Sequence, residues 1–234
     1  MKIIKLFGLL VLLSLVACEN TSPSEQLELL IAKYEKPREY DFKRGESLES
    51  TTKYYTAESE FAKNLKAELE QVLTDDLSET DKISSELLLF VLQDKIDQHT
   101  FKMYLNPITS ESAFHLNLSR MANRTFKNEK QIKEYFKQLK NLPQRVDYNI
   151  SLLKEGVKEG ISQPKAVFNE YEKTYDKHIV SDVTKSAFYK PFHNLPAALS
   201  QQKKDSILIA AKISVQKNAI DQYQKIKNFF EKEY

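Results

Sequence analysis

One amphipathic segment constrains the fold more than any other part of the 234-residue chain. After Pro143, apolar residues recur at spacings of four, three and four residues, at Val146, Ile150, Leu153 and Val157. This spacing places the four side chains on one face of an α-helix. Gly160 lies where a helix commonly ends in a left-handed residue, and Pro164 is typical of the first turn of a following helix. Gly156 lies inside the helix that follows Pro143, and it predicts close packing against a neighbour or an early end of that helix.

The composition extends this helical prediction to the rest of the chain. Only four glycines and seven prolines occur, whereas glutamate, lysine, leucine and glutamine are abundant, and such a composition favours helices over strands. Few stretches alternate apolar and polar residues with a period of two. The sequence therefore predicts an all-α fold: a bundle of about seven or eight helices over residues 25–234, with a long C-terminal helix.

Individual helices carry more specific expectations. The second helix is expected over about 56–73, after an irregular segment over 37–56. The third contains "LLLFVL", which is apolar all round and predicts a helix buried on every side. Further helices are expected over 111–121 and over "PKAVFNEYEKTYDKHI".

The last helix is expected to follow Ser200 and to bury one apolar face. That face comprises Ile209, Ile213, Ile220, Tyr223 and Phe230, with Leu208, Ala211, Val215, Ala219 and Ile226 close beside it. No glycine, proline or polar tail marks an end before Tyr234. The sequence therefore favours a last helix that is cut rather than ended.

The N-terminus, "MKIIKLFGLLVLLSLVACEN", has the organisation of a secretory signal. Lys2 and Lys5 precede an apolar run, and the ending before Cys18 resembles the bacterial lipobox. The sequence predicts a signal peptide over 1–17, a lipid on the Cys18 thiol and a tether over 18–24. An ordinary signal peptide with an incidental cysteine, or an uncut membrane helix, is the alternative. We expect a lipid-anchored protein of the bacterial cell envelope, outside the cytoplasm, whose membrane contact is the anchor.

The net charge of the chain indicates whether a nucleic acid is an expected partner. The chain has 35 basic and 33 acidic residues, a net charge of +2. A nucleic-acid-binding domain normally carries a marked basic excess, so no nucleic-acid partner is predicted.

The patterns of common catalytic and metal sites are missing from the sequence. The four histidines are too far apart to form a helical zinc pair: His99, His115, His178 and His193. No H-E-x-x-H, G-x-S-x-G, G-x-G-x-x-G or phosphate-binding glycine motif occurs. The only cysteine is the predicted lipid attachment residue, so it is not available as a nucleophile. We therefore assign no catalytic residue, no metal ligand and no cofactor.

One aromatic segment is the strongest candidate for a ligand or partner surface. Within "SAFYKPFHNLP" it contains Phe188, Tyr189, Phe192 and His193. Aromatic residues in an irregular segment between helices are also typical of a core plug. The sequence leaves both interpretations open.

Four motifs in fixed order resemble a known family. "KQLKNLP" ends one helix in L-x-x-L-P, and a G-x-x-x-G-x-x-x-P pattern follows at Gly156, Gly160 and Pro164. A P-F-x-x-L-P segment follows over 191–196, and the long last helix ends in E-Y at Glu233 and Tyr234. From about residue 106 to 234, this order is similar to the bacterial family catalogued as domain of unknown function 885.

The resemblance implies that this chain has no catalytic activity by itself. Members of that family look like helical zinc metallopeptidases, and their H-E-A-x-P-G-H motif lies beyond the E-Y segment. No His-Glu dipeptide occurs here, so no zinc ligand or general base carries over. Zinc is expected only if a missing C-terminal half is supplied. The resemblance thus implies a non-catalytic N-terminal part of a zinc peptidase-like protein, with helical walls beside a substrate cleft. Together with the missing motif, it favours a truncated or split gene product.

Other functions remain open at this point. The chain could be a binding or interaction lipoprotein that grips a peptide or a separately encoded catalytic half through its aromatic segment and last helix. A structural envelope protein without a ligand is a third alternative. A metal-free hydrolase comes last, because no nucleophile and base can be matched.

Overall fold

The computed structural model describes residues 21–74, 76–108 and 112–234. The predicted signal peptide and Cys18 lie outside these residues. The helices are α1 (Pro23–Glu35), α2 (Leu48–Val72), α3 (Glu79–Thr100), α4 (Phe114–Leu118), α5 (Glu129–Lys140), α6 (Leu142–Lys158), α7 (Lys173–Asp176), α8 (Gln201–Val215) and α9 (Asp221–Lys232). A π turn, Gln216–Ile220, joins α8 to α9 in one C-terminal helix over 201–232. The all-α prediction and the long C-terminal helix are confirmed.

None of these helices, within the ranges described, combines the length and hydrophobicity of a membrane span. The chain divides into two compact units. Among the described residues, unit 1 comprises those up to Pro37 together with Asn64–Leu92, and unit 2 comprises Arg38–Lys63 and Gln93–Tyr234.

Unit 1 is built from α1, the second part of α2 and the first part of α3. Ser22 caps α1 in a reciprocal capping box with Glu25. The Ser24 hydroxyl donates a hydrogen bond to Asp81 Oδ2 at 2.7 Å, which holds the start of α1 beside the start of α3. The small core is made of leucines and one valine: Leu27, Leu30, Leu65, Leu69, Val72, Leu77, Leu88 and Leu92.

Unit 2 contains the larger core, formed by α4, α5, α6 and the C-terminal helix. Two buried tyrosines connect its parts through their hydroxyl groups. Tyr135 donates to the carbonyl of Phe188 at 2.8 Å, and Tyr223 donates to the carbonyl of His115 at 2.7 Å. A buried hydroxyl with a partner avoids the desolvation cost of an unsatisfied donor.

The expected start of the second helix was wrong. The helix begins at Leu48 rather than near Thr56. Ser47 accounts for the difference, because its hydroxyl accepts a hydrogen bond from the Ser50 N–H at 3.0 Å, as a helix N-cap does.

The expectation that α3 is buried on every side was also wrong. Leu88 and Leu92 are buried, but Ile83 is 66% exposed, Leu87 62% and Phe90 71%. The three helical segments of unit 1 cover only the side of each helix that faces the other two.

The helix expected after Pro164 is interrupted. A 3₁₀ turn, Lys165–Phe168, precedes the short α7, and Glu170 between them has a left-handed φ of 60°. A side chain at positive φ is incompatible with a continuous right-handed helix. In the helix expected over 111–121, the described part contains α4 and a 3₁₀ turn, Ser119–Ala122.

The C-terminal helix buries a different face from the one expected at its start. Ile209 and Ile213 are 63% and 65% exposed, whereas Ala211 and Val215 are buried. The π turn adds a residue to one helical turn, and the face that points to the core is therefore rotated between α8 and α9. Beyond the turn, Ile220 and Tyr223 are buried as expected.

Both glycine predictions around α6 are confirmed. Gly160 has a φ of 76° just after the helix, the left-handed geometry that glycine adopts at lowest cost. A Cβ on Gly156 would lie 2.9 Å from the carbonyl oxygen of Ile161 and 3.0 Å from that of Leu105. The missing side chain lets the backbone after α3 approach α6 closely.

Candidate binding cavity

The aromatic segment named from the sequence lies largely in the core of unit 2. Phe188, Tyr189 and Phe192 are buried, and His193 is exposed. The Phe192 ring lies 5.3 Å from that of Phe126 and 5.2 Å from that of Phe136, centroid to centroid. Three of the four side chains therefore have almost no surface that a ligand could contact. They pack between helices in the core instead.

Two other histidines are buried in the same core. His115 Nε2 lies 2.9 Å from the Thr174 hydroxyl, and the His178 ring packs 4.2 Å from that of Tyr223. Nδ1 of each ring is buried without a hydrogen-bond partner among the described residues. Burial lowers the pKa of both to about 4, helped by the positive charge of Lys177 and, for His115, by His178. Both imidazoles are therefore neutral near pH 7.

These depressed pKa values predict that acid destabilises the fold. Between about pH 6.5 and about pH 4, an unfolded histidine binds a proton and the folded one does not, because its pKa is lower. The free energy of unfolding therefore falls as the pH drops through this range. Each histidine contributes at most about 3 kcal/mol to this loss. Urea unfolding at several pH values across this window should show the decline. In His178→Phe, which keeps an aromatic ring against Tyr223, the decline should be smaller, and an unchanged pH dependence would contradict the assignment.

A buried ion-pair network in unit 2 centres on Glu58, which is 4% exposed. Arg38 donates to both carboxylate oxygens, at 2.7 and 2.9 Å, Lys95 donates at 2.5 Å, and the Tyr40 hydroxyl donates at 2.7 Å. Burial is the largest single influence on the Glu58 carboxyl and raises its pKa, but these hydrogen bonds together outweigh it and lower the pKa to about 2. Burial, and then the bond to Glu58, raises the pKa of Tyr40 to about 12. The network joins the segment before α2 to α2 and α3.

A cavity of about 510 Å³ lies within unit 2. Its walls come from the loop before α2, from α2, from the end of α3 with the 3₁₀ turn Met103–Leu105, and from α6. The lining includes Arg44, Gly45, Thr51, Tyr55, Asp94, Gln98, Met103, Tyr104, Asn106, Pro107, Tyr148, Asn149 and Leu152. This volume is in the range of small-molecule and peptide pockets.

Backbone geometry fixes the walls of the cavity. Gly156 lets Leu105 approach α6, which places the neighbouring Tyr104 at the cavity. The Thr51 hydroxyl lies 2.8 Å from that of Tyr148 and accepts a hydrogen bond from the Gly45 N–H at 3.3 Å. The Tyr55 and Tyr104 rings stack with their centroids 4.6 Å apart. Packing and hydrogen bonds therefore hold the polar and aromatic groups of the cavity in place before a ligand arrives.

The cavity carries groups that remain available to a ligand. The Arg44 guanidinium lies 5.2 Å from the centroid of the Tyr55 ring and, among the described residues, makes no ion pair or hydrogen bond. Asp94 accepts a hydrogen bond from Gln98 at 2.6 Å and forms no ion pair with any described cation. Asn106 Oδ1 is buried without a partner in the described part of the chain. The accessible part of the lining thus offers a cation, Arg44, and an anion, Asp94, while Asn106 Oδ1 lies below the surface.

The sequence alone does not indicate this cavity. Arg44, Asp94 and Tyr148 are each about fifty residues apart and belong to no motif, so only the tertiary fold brings them together. The one local signal was Gly45 in an otherwise polar stretch, which has a φ of 92°.

A second cavity, of about 460 Å³, lies between the segment after α6 and the end of α9. Its lining is aromatic, with Phe168, Tyr171, Tyr175, Phe230 and Tyr234 among its residues. The rings largely contact one another; those of Phe168 and Tyr171, for example, lie 4.8 Å apart. Its charged residues are Lys165, Glu172 and Glu231, and Glu231 is paired with Lys227 at 3.6 Å.

The described residues do not fit a zinc site. They contain no group of three or more histidine, cysteine, aspartate or glutamate side chains that could hold a metal ion. His115 and His178 are surrounded by aromatic rings, among them Phe114, Tyr171 and Tyr223, rather than by carboxylates.

Comparison with known proteins identifies a family. No curated protein and no solved structure matches the chain. Residues 41–234 match the model of a family described as "Bacterial protein of unknown function (DUF885)". This match begins well before residue 106, where the motif resemblance starts, and it includes every residue named above as lining the first cavity. The chain belongs to the DUF885 family.

Proposed function

We propose that this chain is a lipid-anchored protein of the bacterial envelope that holds a peptide without cleaving it. In this proposal it forms the non-catalytic N-terminal part of a zinc peptidase-like protein, and the cavity beside Arg44 is where the peptide binds. The observation that carries the proposal is the Arg44 guanidinium, which has no ion pair or hydrogen bond within the described ranges, in a cavity that Asp94 also lines.

The chemistry of the lining suits an unblocked peptide. A guanidinium binds a carboxylate through two parallel hydrogen bonds, as at a peptide C-terminus. Asp94 provides a carboxylate for an ammonium group. The tyrosine rings supply flat apolar surface for a side chain. A cavity of about 510 Å³ has room for a short peptide.

The test is a calorimetric titration of the chain with alanyl-phenylalanyl-alanine and with its C-terminal amide. The free acid should bind more tightly, because only the acid offers a carboxylate to Arg44. Arg44→Gln should weaken binding of the acid by about tenfold or more, as expected for loss of a charged hydrogen bond. The same substitution should change binding of the amide little.

Arg120→Gln is the matched control, because Arg120 is also exposed and does not line the cavity. This variant should bind both peptides as the wild-type chain does. If acid and amide bind equally, or if Arg44→Gln leaves acid binding unchanged, the proposed peptide site is wrong.

A second candidate is an interaction lipoprotein that grips a separately encoded catalytic half. The exposure of Ile209 and Ile213 on the C-terminal helix favours it, since exposed apolar neighbours often mark an interface. Burial of Phe188, Tyr189 and Phe192 leaves only His193 of the aromatic segment to take part. The Ile213→Glu variant distinguishes the two candidates. It should bind the tripeptide with unchanged affinity, and cross-linking in the membrane fraction should no longer capture a partner.

A further inference from the structure

An exposed apolar stripe runs along the first part of α3 in unit 1. Its residues are Ile83, Leu87 and Phe90, whose spacings of four and three place them on one face of the helix. Each is more than 60% exposed. The stripe extends over roughly 10 Å along the helix axis. Exposed apolar side chains are unremarkable singly, but three large ones in a row mark a contact surface.

The predicted lipid attachment residue is tied to the same place. Ser22 caps α1, and Ser24 is hydrogen-bonded to Asp81 at 2.7 Å. Asp81 is two residues before Ile83 and also accepts a hydrogen bond from the Ser78 hydroxyl at 2.8 Å. The chain between Cys18 and Pro23 spans at most roughly 18 Å even when fully extended. An anchored Cys18 therefore keeps the start of α1 within that distance of the lipid. The hydrogen bond from Ser24 to Asp81 places the start of the α3 stripe at the same end of unit 1.

From this geometry we infer that the α3 stripe is a second membrane contact, inserted into the lipid surface beside the anchor. The inference rests on the anchoring part of the proposed function. An anchor holds the stripe at a high local concentration of lipid, so even a small apolar contact remains occupied. Together, anchor and stripe orient unit 1 on the bilayer, which a flexible tether alone does not do.

The charges around the stripe select the kind of lipid surface. Glu86 is exposed beside Leu87, and Glu79, at the start of α3, is paired with Lys82 at 3.1 Å. These residues provide no basic excess to attract anionic headgroups. The contact is therefore apolar and suits a zwitterionic lipid surface.

The test uses the absence of tryptophan from the chain. The full chain carrying Phe90→Trp is expressed with its own N-terminal segment, purified from the membrane fraction and reconstituted in phosphatidylethanolamine vesicles with brominated phosphatidylcholine. The introduced tryptophan should show blue-shifted emission and should lose intensity to bromine. Ile213→Trp, at a similarly exposed position in unit 2, should show neither effect. Intact mass of the same sample reports cleavage before Cys18 and acylation.

Each outcome decides the inference. Acylation with bromine quenching of Phe90→Trp alone supports it. Acylation without quenching overturns it and leaves the anchor standing. Blue-shifted emission without quenching shows that protein rather than lipid covers the stripe, which also overturns it. Without acylation, the anchoring part of the proposed function fails, and the inference that rests on it fails too.

Discussion

Glu58→Gln is expected to lower the free energy of unfolding by about 3 kcal/mol, the low end of the range for breaking a buried ion pair. The substitution removes the charge that compensates Arg38 and Lys95, whose side chains are 23% and 22% exposed. Because these two cations retain some contact with water, the loss is smaller than for fully buried partners. Urea unfolding at pH 7 measures it.

Glu68→Gln is the matched control for Glu58→Gln. Glu68 is also on α2 and pairs with Lys33 at 2.6 Å, but both side chains are nearly half exposed. An exposed pair contributes about 0.2–1 kcal/mol, so the control should unfold almost as the wild-type chain does. Equal effects of the two substitutions would show that burial of the Glu58 network is not what stabilises it.

The same network predicts a second acid transition. The pKa of Glu58 is depressed in the folded chain, so its contribution is complete above the unfolded value of 4.5 and is lost as the pH falls toward about 2. Most of this window lies below that of His115 and His178, which runs from about pH 6.5 to about 4. In Glu58→Gln, the loss of stability between pH 4.5 and 2 should be reduced, while the loss between 6.5 and 4.5 should remain.

Phe192→Ala is expected to lower the free energy of unfolding by about 3–5 kcal/mol, as is usual when a buried phenylalanine is truncated. Four rings surround Phe192, those of Phe126, Tyr135, Phe136 and Tyr189, with centroids 5.2 to 5.6 Å away. The substitution leaves a cavity among them that the packed rings cannot fill.

The neighbouring His193→Ala tests whether the aromatic segment is a core plug throughout. His193 is exposed, and its Nε2 lies 3.1 Å from the carbonyl oxygen of Thr184. Exposed substitutions usually change stability by less than about 0.5 kcal/mol. If Phe192→Ala were as mild as His193→Ala, the ring of Phe192 would not be the packing element that the structure shows.

The helices around α6 could be predicted because their signals are local. The spacing of the buried Val146, Ile150 and Leu153 and the left-handed Gly160 follow from residues within one or two helical turns. Gly156 signals a close approach, but the sequence does not identify Leu105 as one of its neighbours. The start of α2 was missed because Ser47 caps it within a polar segment that carries no apolar repeat.

Other features could not be predicted because they depend on tertiary contacts. The buried face of α8 follows from the π turn at Gln216–Ile220, which no residue pattern marks. Leu87 and Phe90 on α3 are exposed because the described part of unit 1 contains only α1 and parts of α2 and α3, and these helices pack against the other side of α3. The cavity combines Arg44, Asp94 and Tyr148 from distant parts of the chain, and sequence spacing does not connect them.

The most direct test of the peptide-holding proposal is a crystal structure of the chain with alanyl-phenylalanyl-alanine bound. The account predicts an intact tripeptide beside Tyr55, with its carboxylate about 2.7–2.9 Å from the Arg44 guanidinium nitrogens. A tripeptide bound in the aromatic cavity between Tyr171 and Phe230, or cleaved to fragments, would contradict it.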